Sequence, residues 1–199
     1  MKSEGLFRLG IVSLLLVLAL DVIVAGALYH VFSPVNRALS MLAACFKLVY
    51  AGVFLVAMGH LFGVARLLDD TSPLSAHERG TQLLLGVNAF SDVWAVGLFL
   101  FGLHLLVIGY LAHRSGHVPR LLGFLLAVAG LGYGVDTVGA VLSRGPWTEI
   151  SSFTFIGEFL LALWLVTRGR HISVDSDDFP VVAVERPAVP DGVAARAVR

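Results

Sequence analysis

The chain has 199 residues with 14 basic and 14 acidic side chains, so its formal net charge is zero, and only 14% of its residues are charged, against roughly 25% in a soluble domain. Apolar residues make up 57% and the mean hydropathy is +0.86, more than a water-exposed fold this short can hide. The neutral balance removes the electrostatic case for nucleic acid, and the single cysteine, Cys45, excludes an internal disulfide framework or a cysteine-rich zinc site.

Five stretches are long and apolar enough, or nearly so, for a helix to cross the hydrocarbon, which takes about 20 residues. They run over residues 9–32, 39–65, 82–112, 121–142 and 150–167. No alternation supports a β-barrel, so the expectation is an all-α polytopic transmembrane helix bundle of five spans within residues 1–170. The first segment has a competing reading as a signal peptide, from Lys2 and Arg8 ahead of the apolar run and the small residues Ala25-Gly26-Ala27. Asp21 and the continuation to Phe32 favour a span.

Ser33-Pro34-Val35-Asn36 predicts a tight turn between the first two helices. Asp69-Asp70-Thr71-Ser72-Pro73 opens a polar loop expected to run to about Gly80. Ser115-Gly116-His117-Val118-Pro119 and Ser143-Arg144-Gly145-Pro146 predict two further short turns. After Arg170 the pattern dissolves into acids and prolines, which predicts a disordered polar tail over residues 171–199.

Five spans put the termini on opposite sides. Arg37, Arg114, Arg120, Arg168 and Arg170 fall on one side, and Lys2, Arg8, Arg66, Arg79 and Arg144 on the other. The positive-inside rule is therefore balanced, and Arg186 tips the expectation to a cytoplasmic C-terminus of a multi-pass plasma-membrane protein. Tyr29, Tyr110 and Trp164 each stand two or three residues before a helix end on the same side, where an interfacial aromatic belt belongs. Trp94 and Trp147 lie towards the opposite face.

Charged groups at membrane depth are costly and turn inward to find partners. Counted from Phe32, Arg37, Ala112 and Thr167 on the side of the first turn, Asp21 lies 11 residues in, Lys47 10, His104 8 and Glu158 9. At 1.5 Å per residue these depths are roughly 12–17 Å, near the midplane of a core about 30 Å thick. Asp21 and Lys47 are each 13 residues from Pro34, so on antiparallel neighbouring helices they are expected to form a structural ion pair. His104 with Glu158 suggests either an interhelical hydrogen bond or a site that relays protons or holds a cationic or hydrogen-bonding ligand. Asp136, Asp92 and Asn88 sit nearer the other face, either lining a polar vestibule or pinning the bundle near water. Gly59-xxx-Gly63 and Gly130-xxx-Gly134 are candidates for close helix contact.

Soluble-enzyme signatures are missing: no Gly-x-Ser-x-Gly elbow, no phosphate-binding loop and no His-Glu-x-x-His. His113-xxx-His117 has metal-ligand spacing but is an incomplete set on a helix that Gly116 and Pro119 end, so no metal and no cofactor is expected. Cys45, on an apolar helix, is expected to be inert packing rather than a nucleophile.

Several segments carry a family pattern in order: Leu20-Asp21-Val22-Ile23, Pro34-Val35-Asn36-Arg37, Asn88-Ala89-Phe90, Phe101-Gly102-Leu103-His104, Ser115-Gly116-His117-Val118-Pro119-Arg120, Gly134-Val135-Asp136 and Gly157-Glu158-Phe159. Over roughly residues 4–168 the chain resembles the bacterial integral membrane family Domain of Unknown Function 4386. The resemblance implies motif residues at Asp21, His104, Asp136 and Glu158, a cytoplasmic C-terminus, and no established activity, substrate or cofactor. Members usually carry a further helix before the position of Leu6 and an arginine at the position of Lys47, so a short or N-terminally truncated member is expected.

Three functions compete. The leading expectation is transport or ligand binding through the mid-depth polar layer, by way of His104 and Glu158 with Asp136, Asp92 and Asn88. The others are a structural or regulatory membrane subunit and an intramembrane enzyme with His104 as base and Glu158 or Asp136 as acid. The expected partners are the lipid bilayer, a small-molecule ligand and further subunits of an oligomer, with no nucleic acid.

Overall fold

A computed structural model describes residues 2–68, 75–116, 118–143 and 156–168. The expected tail over 171–199, the Asp69–Pro73 segment, His117 and Trp147 lie outside the described residues. Among the described residues, five helices follow one another: α1 (Lys2–Phe32), α2 (Arg37–Leu68), α3 (Ala76–Ser115), α4 (Arg120–Leu142) and α5 (Ile156–Arg168). The protein is an all-α helical bundle, and α1 to α4 are each long and apolar enough to cross a membrane. The 13 described residues of α5 reach about 20 Å at 1.5 Å per residue; residues 150–155 of the expected fifth span lie outside the description.

Local chemistry sets the helix ends. Asn36 caps α2, its side-chain oxygen accepting from the Leu39 amide at 3.0 Å, while Val35 N–H donates back to the Phe32 carbonyl to close the turn. α3 begins at Ala76, earlier than the loop expected to reach Gly80. Ser75 and Glu78 form a reciprocal capping box, with the Glu78 carboxylate accepting from the Ser75 amide at 2.9 Å. That Ser-x-x-Glu pattern was available in the sequence. At the other end Gly116 adopts φ 68°, a left-handed cap natural to glycine, and α4 starts directly after Pro119.

α3 is central, packing extensively on α2 and α4; α1 lies mainly on α2 and α5 on α4. The α3–α4 seam is built from glycines seven residues apart on each helix. A Cβ on Gly102 would come 2.7 Å from the Gly130 carbonyl oxygen, and one on Gly109 would come 2.7 Å from that of Gly123. The backbones touch, as small residues allow in a bilayer where lipid competes with side chains for apolar contact. Gly59, Gly63 and Gly134 face open space instead, so of the two expected small-residue motifs only Gly130 lies at a close contact.

Large apolar side chains cover the outside: Val141 is 79% exposed and Leu84 67%. Such a surface suits lipid, not water. Cys45 is also exposed, on the outer face of α2 rather than packed inside. The interior holds two apolar clusters. One gathers Leu28, Phe32, Ile108, Leu111 and Leu126 near the α1–α2 turn; the other gathers Ile11, Phe54, Met58 and Leu61 towards the opposite end. The charged residues lie between them.

Candidate functional site

All five described helices bring a polar side chain to this intermediate level. Lys47 Nζ on α2 lies 2.7 Å from Asp21 Oδ1 on α1, both largely enclosed. The short Ser33–Asn36 turn makes α1 and α2 antiparallel neighbours, and equal distances from that turn bring the two residues level. The ammonium also sits 4.2 Å from the Phe101 ring centroid and 5.2 Å from that of Tyr50. Burying a cation is tolerable only with such a set of a carboxylate and ring faces.

His104, only 2% exposed, stands one helical turn after Phe101 and stacks beside it at 5.9 Å. Its Nδ1–H donates to the Ala43 carbonyl of α2 across 2.9 Å; a carbonyl can only accept, which fixes the tautomer. The expected hydrogen bond to Glu158 is therefore not the one His104 makes. α3 packs directly on α2, whereas α5 reaches the bundle through α4, so the nearer backbone takes the donor.

Glu158 on α5 instead lies within the electrostatic reach of Tyr133 on α4, Lys47 and Asp21. Its Oε1 is buried with no hydrogen-bond partner among the described residues. A buried unsatisfied carboxyl oxygen is costly, and such exceptions invite an explanation. Lys47, His104 and Glu158 all line one cavity of about 300 Å³, whose remaining walls are apolar residues of α1, α3, α4 and α5. The enclosure thus has polar groups at one level and hydrocarbon around them, the composition of a small-molecule site.

The other candidates stand apart. Asp136 is half-buried on α4, one turn beyond Tyr133 and within its electrostatic reach. Asp92 and Asn88 are exposed on α3; at 12 and 16 residues from His104 they are about 18 and 24 Å away along the helix, and neither lines the cavity. The sequence reading passed over Phe101 and Tyr133. Phe101 could have been found three residues before His104 on the same helical face. Tyr133, 12 residues into its span from Leu121, shares the depth of the charged layer, and a tyrosine hydroxyl at that depth needs a partner.

The family described as Domain of unknown function (DUF4386) matches residues 1–169. A protein of Archaeoglobus fulgidus described as "Uncharacterized protein" is 35% identical over 163 residues, covering 82% of this chain and 85% of the relative. The pattern is therefore shared with an archaeon. No solved structure matches the chain.

Proposed function

We propose a function for this chain, which belongs to the DUF4386 family, from its enclosed polar layer: it binds a small molecule or proton at mid-depth and carries it across the plasma membrane. The carrying observation is the 300 Å³ cavity that joins Lys47, His104 and Glu158. Ionisable groups inside a membrane are retained against a cost of about 2.5–3.5 kcal/mol each even on lenient scales. Glu158 Oε1, buried and unpartnered among the described residues, gives a ligand something to bind. The remaining assignments follow the sequence: its apolar runs support five spans, and Arg186 favours a cytoplasmic C-terminus.

A second reading, a structural or regulatory subunit, draws support from the rest of the layer. Asp21 and Lys47 neutralise one another, and His104 is satisfied by a backbone carbonyl; a dry bundle needs no more.

Thiol labelling separates the two. With Cys45→Ser as background, a cysteine replacing Leu161, which is buried and lines the cavity, is expected to react with the membrane-permeant reagent N-ethylmaleimide. A cysteine replacing Phe54, in the apolar cluster, is expected to stay inert. Equal inertness at both positions would leave the structural reading standing.

A further inference from the structure

The cavity is a wedge. α1 lies on α2 and α5 on α4, so over α3 the two outer helices border a gap. Val24 of α1 and Val166 of α5 line the cavity and are themselves 42% and 69% exposed on the apolar outer surface. Among the described residues, the cavity therefore opens sideways, towards lipid, rather than along the bundle axis towards water.

Inside, the charges do not cancel. Lys47 is held 2.7 Å from Asp21 and lies over the faces of Phe101 and Tyr50, so its one positive charge is already engaged. His104 has donated its Nδ1–H to Ala43, which leaves Nε2 as an acceptor in the neutral ring. Glu158 is the second carboxyl of the layer, with Tyr133 within electrostatic reach and one oxygen buried and unpartnered among the described residues. Among the described residues, two carboxyl groups face one ammonium, and the groups around Glu158 are Lys47, Asp21, His104, Tyr133 and Tyr50. A proton or a cation is needed to balance it.

We infer that the cavity takes a lipophilic cation, an amine or quaternary ammonium with an apolar body, which enters from the bilayer between α1 and α5 and sets its charge against Glu158. The inference rests on the ligand-binding reading above and deepens it by naming the ligand class. The apolar walls receive the body, and the unpartnered carboxyl oxygen receives the head. An anion would meet Glu158 instead and would compete with Asp21 for Lys47. Proton and ligand neutralise the same carboxylate, so they exclude one another, and a permanently charged ligand binds more tightly as the pH rises.

The test compares three probes with the same eight-carbon body: octyltrimethylammonium, octanoate and 1-octanol. Saturable binding is measured to the full chain in lipid nanodiscs, with binding to empty nanodiscs subtracted. Octyltrimethylammonium is expected to bind about tenfold more tightly than either of the others, a preference of about 1.4 kcal/mol, and to gain affinity with increasing pH. Glu158→Gln should abolish both the preference and the pH dependence, and Glu158→Asp should retain part of each. Val24→Trp, which fills the rim, should weaken the cation without changing the probes' partitioning into lipid. Octanoate or octanol binding as tightly as the cation would overturn the inference and leave the cavity reading intact. Absence of saturable binding by all three would count against both, and the wild-type comparison holds even if a variant fails to fold.

Discussion

His104 is tied to Ala43: its Nδ1–H meets that carbonyl at 2.9 Å and couples the centre of α3 to α2 one helical turn before Lys47. The bond also decides which ring nitrogen remains for a ligand. Interhelical hydrogen bonds in membranes contribute about 0.6–2 kcal/mol. His104→Leu is accordingly expected to lower the unfolding free energy in detergent by about 1 kcal/mol, with His104→Gln, which keeps an N–H donor, losing less. Equal losses in the two variants would show that packing, not the hydrogen bond, carries the contribution.

Asp21 and Lys47 are expected to be energetically coupled, given their 2.7 Å contact. Removing one partner strands a buried charge, which typically costs about 3–5 kcal/mol. Asp21→Asn and Lys47→Met should each destabilise strongly, and the double variant by much less than their combined losses. A double-mutant cycle checks this; additive losses would mean that the two side chains do not meet.

The glycine seam predicts position-specific intolerance. Gly102→Ala and Gly109→Ala each place a Cβ within 2.7 Å of a carbonyl oxygen on α4, and are expected to cost about 1–3 kcal/mol by overpacking. Gly59→Ala and Gly134→Ala face open space and should be neutral or stabilising by about 0.5–1 kcal/mol, since alanine is the better helix former. Thermal unfolding of the four variants in one detergent ranks them, and similar behaviour of all four would remove the seam.

The proposed topology places the N- and C-termini on opposite sides, with Arg199 in the cytoplasm. Reporter fusions at each end check it. Both ends reporting one side would overturn the five-span count, while exchanged sides would overturn only the orientation.

The capping box at the start of α3 is a local device with a local cost. Ser75→Ala removes the acceptor of the Glu78 amide and is expected to lower stability by about 1 kcal/mol, read as faster amide exchange confined to the first turn of α3. Unchanged exchange there would show that the helix start is held by other contacts.

What the sequence determined alone is what depends on neighbours along the chain. The apolar runs fix an all-α membrane protein because each span must satisfy its own backbone hydrogen bonds in hydrocarbon. Asn36, Gly116 and Pro119 fix turns, and Ser75-x-x-Glu78 fixes a helix start, since caps act within a few residues. The level of Asp21, Lys47, His104 and Glu158 follows from the constant rise of a helix. Which helix faces meet is a different kind of question. Gly59-xxx-Gly63 and the seam glycines look alike in sequence, yet only Gly102, Gly109, Gly123 and Gly130 bring backbones together, because lipid is as apolar as the side chains and the closest fit across all the helices decides. The same competition gave His104 to Ala43 rather than to Glu158, left Glu158 within reach of Tyr133 and with an oxygen unpartnered among the described residues, and opened a cavity between helices that are distant in the chain. Depth is a local property of each helix, but partnership depends on how all of them pack, and only the tertiary structure decided it.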